Sequence, residues 1–198
     1  MADSYRSFED LVDCEVEGRD YQIRVNLKDS PVLIMAPHGG KIEPGTAEIA
    51  EAIAGNDYSF YSFEGLKKDR NGVLHIESHL FDEPCALQAV KKADIVVTVH
   101  GQIDQKDEFV MIGGLHDSLR SEIKFQLETA GFQTRHPTGG LRGNDPSNIS
   151  NRGKLKQGVQ LEISRKMRDS LRANEKQLQI FSNTVRRAIQ TYLDGRYG

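Results

Sequence analysis

The sequence predicts one α/β domain built on a mixed, largely parallel β-sheet flanked by helices. Three observations carry this expectation. Residues 32–36 (VLIMA) and 95–99 (IVVTV) are short, continuously apolar runs, the character of strands covered on both faces. Segments with helical spacing alternate with strand-like segments, which is how parallel strands are connected. No repeat, low-complexity tract or linker divides the 198 residues, a length suited to a single domain spanning 1–198.

In chain order, residues 21–27 (YQIRVNL) mix apolar and polar side chains with rough period two and read as a half-exposed strand. The run 32–36 follows. Thr46 then serves as a cap for a helix reaching Gly55, with Ile49, Ala50 and Ile53 on one face. Residues 58–63 read as a strand. Pro84 suits a first helical turn, with Leu87, Val90 and Ala93 at helical spacing behind it. After the run 95–99, residues 109–112 and 132–136 are further strands, separated by a helix with Leu119, Ile123 and Leu127 in one stripe and Gly131 at its end. Residues 159–163 complete the strands. Asn174 caps a last helix whose stripe is Leu178, Phe181, Val185, Ile189 and Tyr192.

Composition excludes some classes of function. A net charge of −3 gives no global electrostatic case for nucleic-acid binding. No run of about 18 apolar residues is present, so no membrane span is expected. The first residues have neither a basic nor an apolar region of the signal-peptide kind. The expectation is therefore synthesis as a soluble cytoplasmic chain, with cell lysis as a route of release. Cys14 and Cys85 lie outside any CxxC pair and read as simple thiols, a disulfide between them being left open.

Chemistry concentrates where apolar strands end. APHGG places His38 just past the first apolar run, with Glu43 five residues on, and TVHG places His100 at the end of the second. Neighbouring parallel strands would bring these ends together, and sites in such sheets collect at the carboxyl ends of strands. Two histidines and a glutamate meet the three-ligand count of a catalytic zinc site, which keeps a fourth position open for water. The glycines at 39, 40 and 101 let the backbone bend closely around it. In GVQLEIS, Glu162 sits inside an apolar strand, where an unpaired carboxylate is costly. It faces water at an edge, has a basic partner, or lines a site as a general base.

HIESH resembles a helical zinc motif in outline only. As an alternating strand it would place His75, Glu77 and His79 on one face, in solvated or substrate-facing positions rather than as zinc ligands. His116 and His136 occupy loop-like settings and read as structural. Residues 139–154 form a long polar loop leading into the Glu162 strand. The loop is either plain surface or the place where substrate carboxylates find Arg142 and Arg152, with the amides of Asn144, Asn148 and Asn151 beside them.

APHGGKIEPGTAEIA, HIESHLFDEP, TVHG, SNISNRG and GVQLEIS occur in that order. The ordered set resembles the phage poly-γ-glutamate hydrolase family, including its prophage-encoded members, over residues 31–165. The resemblance implies a fold like that of the zinc carboxypeptidases and hydrolysis of the γ-amide links of poly-γ-glutamate with one zinc ion. It implies His38, Glu43 and His100 as ligands and Glu162 as general base, with Arg152 near the oxyanion. His79, Arg142, Asn148, Asn151 and Arg152 would contact substrate. Zinc carboxypeptidases place the first His and Glu three apart; here the gap is five, and Glu48 is the second candidate. Lys41, Arg135, Arg142, Arg152 and Arg165 are the cations near these motifs. The competing expectations are a zinc amidase for acyl-glutamate or cell-wall γ-glutamyl peptides, and a metal-free binding module.

Overall fold

The apolar runs of the sequence occupy the centre of a seven-stranded sheet in the computed structural model, which describes residues 5–197. Its strands are β1 (Tyr21–Asn26), β2 (Val32–Gly40), β3 (Ser59–Gly65), β4 (Ile95–Gln102), β5 (Val110–Gly113), β6 (Thr134–Arg135) and β7 (Val159–Ser164). Across the sheet the order is β1-β3-β2-β4-β7-β5-β6. Strands β3, β2, β4 and β7 run parallel, β1 and β5 pair antiparallel with β3 and β7, and β6 is parallel to β5. The mixed, largely parallel α/β sheet expected from the sequence is the observed one.

Two helical layers sandwich it. On one face, α2 (Thr46–Ala54), α4 (Asp117–Thr129), α5 (Arg165–Ala173) and α6 (Glu175–Tyr197) bury Ile49, Ile53, Leu119, Ile123, Leu127, Met167, Leu171, Phe181, Val185 and Ile189 against Ile34, Val97 and Leu161 of the sheet. On the other face, α1 (Phe8–Val12) and α3 (Pro84–Lys92) cover Leu33, Met35 and Val96 with Leu11, Ala86, Ala89 and Val90. Asn174 caps α6 as expected, its side chain accepting the amide of Gln177 at 3.1 Å.

Several local expectations are corrected. Thr46 is not the cap of α2: Gly45 holds that position at φ +100°, where a Cβ would be strained. The Thr46 hydroxyl instead donates back to the carbonyl of Glu43 at 2.9 Å. Residues 75–79 are not a strand; a single 3₁₀ turn, Asn71–Leu74, leads into irregular backbone. Helix α5 was hidden because only Met167 and Leu171 among its nine residues are large and apolar, too few to mark a stripe. Cys14 and Cys85 are free and exposed. Among the described residues, no helix is long and apolar enough to cross a membrane.

The loop entering β7 crosses β4 so closely that a Cβ on Gly158 would lie 2.0 Å from the Ser150 carbonyl oxygen and 2.6 Å from that of Val96. Both obstacles are backbone. Gly158→Ala is expected to cost more than about 2 kcal/mol in urea denaturation. Gly140→Ala, where a Cβ would meet nothing within 4 Å, should stay within about 0.5 kcal/mol of the parent. Equal effects at the two positions would contradict this packing.

Candidate functional site

The strands place one polar row on the face covered by α3. Val97, Val99, Val159, Leu161 and Ile163 point to the α6 layer, so Thr98, His100, Gln160 and Glu162 point the other way. Pairing between β4 and β7 sets His100 directly beside Glu162. Strict alternation along β2 would send His38 to the opposite face with Ile34 and Ala36. A register shift between Ala36 and Gly39 corrects this and brings His38 round to the face of His100. Gly39 is required there, because a Cβ would meet the Ser62 hydroxyl at 2.4 Å.

His38 and Glu43 are joined by a closed turn in which the Glu43 amide donates to the His38 carbonyl at 2.9 Å. The gap of five residues is the length of that turn, and it returns the Glu43 carboxylate over the His38 ring. One carboxylate oxygen accepts the Gly101 amide at 2.7 Å and the other lies 3.5 Å from His38 Nδ1. His38 Nε2 meets the Ile76 carbonyl at 2.8 Å. A carbonyl only accepts, so Nε2 carries a hydrogen and Nδ1 is the nitrogen that faces Glu43 and His100. His100 Nδ1 lies 3.2 Å from His38 Nδ1 and 3.9 Å from Glu43. Burial, then the neighbouring His38, pulls the His100 imidazole down to about 3, so the ring is neutral at physiological pH.

His75 also arrives here, which the strand reading of HIESH did not foresee. Its ring stacks on His38 at 3.8 Å between centroids, and its Nε2 lies 4.0 Å from Glu43. Donor atoms of His38, Glu43 and His75 all fall within 4.8 Å of one another. Glu48, the second candidate, is on the surface of α2, paired with Arg172 at 3.1 Å.

The two carboxylates of the site differ in state. Burial alone would raise Glu43, but the imidazoles of His38, His100 and His75 outweigh it and hold the carboxyl at about 2. Glu162 is pushed well above the ordinary range, first by burial and then by the charge of Glu43. A relay of amides orients it. Asn148 donates to Gln160 at 2.8 Å, and Gln160 donates to Glu162 at 2.9 Å.

These residues line a cleft of 550 Å³ whose far wall is the Gly139–Asp145 part of the loop. A scan of the chain against family descriptions matches Poly-gamma-glutamate hydrolase over residues 5–194. The chain belongs to the poly-gamma-glutamate hydrolase family. The solved structure of a bacteriophage poly-gamma-glutamate hydrolase superposes with TM-score 0.92 at 31% identity, over 98% of this chain and 99% of that one. A zinc-free apo form of YndL gives TM-score 0.89 at 35% identity, over 95% and 98% of the two chains. Among Bacillus subtilis proteins, YndL is 38% identical over 85% of this chain and the SPbeta prophage-derived YoqZ 38% over 84%. The chain spans 67% of the length of YndL and 61% of YoqZ. A putative carboxypeptidase from Burkholderia mallei shares the fold at TM-score 0.50 and 13% identity, over 88% of this chain and 60% of that one.

In this poly-gamma-glutamate hydrolase family member, His79, Asn144 and Asn148 line the cleft. His79 is exposed, its Nδ1 3.0 Å from Glu77. Arg142 is exposed and does not line the cleft, although Leu141 and Gly143 on either side of it do. Asn151 is spent on the loop: its amide donates to Gly143 and Asp145, and its oxygen accepts from Leu115 and Gly158. Arg152 turns away to the Phe81 carbonyl and does not line the cleft that holds His38 and His100. His116 is structural, as expected, capping α4 by accepting the Leu119 amide at 3.3 Å.

The residue that sequence reasoning missed is Arg168. Its buried guanidinium donates to the carbonyls of Pro44, Gln102 and Ile163. These follow Glu43, His100 and Glu162 by one or two positions. Gly101 makes room for it: a Cβ there would lie 2.6 Å from Arg168 Cζ. Arg168→Met is expected to cost about 3–5 kcal/mol, leaving carbonyls and carboxylates uncompensated. Gly101→Ala should be damaging in the parent and much milder beside Arg168→Met, with a coupling of at least about 1 kcal/mol in denaturation melts. Simple additivity of the two changes would refute the clamp.

Proposed function

We propose that this chain is a zinc-dependent hydrolase of the γ-glutamyl amide bonds of poly-γ-glutamate, with His38, Glu43 and His100 as ligands and Glu162 as general base. The observation that carries the proposal is the convergence of two inward imidazole nitrogens and a carboxylate beside a second, separately oriented carboxylate, in a chain of this family.

The donor set fits zinc. Zinc–nitrogen and zinc–oxygen bonds of about 2.0–2.1 Å at tetrahedral angles separate neighbouring donors by roughly 3.3 Å. His38 to His100 is 3.2 Å and His38 to Glu43 is 3.5 Å. The neutral state of His100 and the ionised state of Glu43 are those a cation needs. His75 is the less suitable third nitrogen. His75 and His100 stand almost equally far from Glu43, at 4.0 and 3.9 Å, but His75 lies over the His38 ring at an interplanar angle of 32°, whereas His100 meets that ring at 61° and brings its Nδ1 within 3.2 Å of His38 Nδ1. Stacked rings do not easily aim at one ion, so His75 flanks the site. The Ile76 carbonyl fixes the His38 tautomer, and the Gly101 amide fixes Glu43.

Zinc held there would supply Lewis acidity and lower the pKa of a bound water towards neutrality. The chain's own part is proton handling. Glu162, raised above the ordinary carboxylate range by burial and held by Gln160, accepts the proton of the attacking water and returns it to the leaving amine. Asn148, two links behind it, keeps the carboxylate aimed at the cleft.

Treatment with a chelator is expected to abolish release of short oligomers from poly-γ-glutamate, and added zinc to restore it. His38→Ala and His100→Ala should each lose stoichiometric zinc while remaining folded by circular dichroism. Retained zinc in either variant removes that histidine from the ligand set. Full activity in metal-free protein would end the zinc reading altogether.

Glu162→Gln keeps the shape and the hydrogen bond from Gln160 but cannot accept a proton. It should retain zinc and bind polymer, with single-turnover rates lower by at least about a hundredfold. A folded, zinc-loaded Glu162→Gln variant turning over at the parental rate rules out the base assignment.

A further inference from the structure

A second cavity of 330 Å³ shares Glu43, His75 and Gly101 with the main cleft and opens beyond them. The two differ in charge. The main cleft is lined by Glu43, Glu77, Asp145 and Glu162, and among the described residues no lysine or arginine lines it. The second cavity carries Arg165 and Arg168, with Glu43 as its one carboxylate. A polymer with a carboxylate on every residue therefore finds arginines, among the described lining residues of the two cavities, on this side.

We propose that this second cavity is an anion subsite in which Arg165 binds the carboxylate of a glutamyl residue next to the scissile bond. The inference rests on the hydrolase reading above. Arg168 sits behind, its guanidinium committed to three backbone carbonyls, and adds charge without offering a contact. Arg165 is held by one edge only: its Nε donates to the Asp169 oxygens at 2.9 and 2.8 Å. Its two Nη groups take no hydrogen-bond partner among the described residues. That leaves a pre-oriented fork, the geometry that receives a carboxylate in two parallel bonds. Ile42, Pro44 and Ile103 supply apolar wall for the two methylenes of a glutamyl unit, and Ile103 is 85% exposed with nothing else covering it. Gln105 adds an amide at the rim. A short aliphatic chain ending in a carboxylate matches this lining, and the volume is at the small end of ligand pockets, about 300–1,000 Å³.

The test uses steady-state turnover of poly-γ-glutamate and equilibrium binding of a γ-linked oligoglutamate to chelator-treated protein, so that binding is read without metal chemistry. Arg165→Gln is expected to raise KM about tenfold with kcat within about twofold, and to raise the oligomer Kd by the same factor, the loss for one charged hydrogen-bonded contact. Arg165→Lys should recover part of the affinity. Arg135→Gln, at a surface cation paired with Asp107 and lining neither cavity, should change neither value. An equal loss in Arg135→Gln signals general attraction of a polyanion and overturns the subsite. So does an unchanged KM and Kd in Arg165→Gln when the parent cleaves polymer, an outcome that leaves the hydrolase reading standing. A parent that binds the oligomer through Arg165 without cleaving polymer overturns the hydrolase reading and keeps the subsite. Absence of binding by the parent overturns the subsite, whatever the cleavage assay shows.

Discussion

The guanidinium of Arg168 joins the three chain segments on which the site is built. Glu43, His100 and Glu162 come from a turn after β2, the end of β4 and the end of β7. Ladder pairing sets His100 beside Glu162 and the Gly101 amide holds Glu43, and one planar group bonded to Pro44, Gln102 and Ile163 ties all three segments together. Burial draws its pKa down from the ordinary value, with the charge of Glu43 opposing that effect. The arrangement is a mutual one: the arginine tolerates desolvation because carbonyls and carboxylates surround it, and the carboxylates tolerate burial partly because the arginine is there. Gly101 is the steric condition, since any side chain at that strand end occupies the guanidinium's place.

From that frame follow two carboxylates in opposite states. Glu43 is gripped by imidazoles and a backbone amide and stays ionised. Glu162 stands at the end of an amide relay, where burial and the charge of Glu43 raise it well above the ordinary carboxylate range. Their difference arises from surroundings, since both are glutamates facing one cleft. No arginine lines the main cleft among the described residues. Positive charge is supplied from behind, by Arg168, and from the neighbouring cavity, by Arg165.

The helical layers contribute indirectly. They bury one face of β4 and β7 in aliphatic side chains and so force Thr98, His100, Gln160 and Glu162 onto the other. That face is closed at its carboxyl end by a loop rather than a helix. Much of the loop's polarity is consumed in holding itself: Asn151 alone bonds Gly143, Asp145, Leu115 and Gly158.

The sequence by itself determined the sheet, most of its helices and the places where strands end in chemistry. Apolar runs and helical stripes reflect burial, and burial is a local demand that each segment records in its own composition. His38, Glu43, His100 and Glu162 were legible as polar residues interrupting or ending such runs, and the amide relay was present as Gln160 two residues before Glu162. What only the tertiary structure decided is which side chains meet. His75 lies in irregular backbone, where no periodicity announces direction, and it folds onto His38. Arg152 and Asn151 share the polar loop with Asn148, yet of the three only Asn148 faces the cleft, because hydrogen bonds across the loop turn the others away. The register shift in β2 reverses the face of His38 without a mark in the sequence beyond two glycines. Arg168 sits in a helix whose composition reads as solvent-facing, and its burial follows from what three distant segments leave open. Contacts of this kind are set by the closure of the whole chain, and no single segment encodes them.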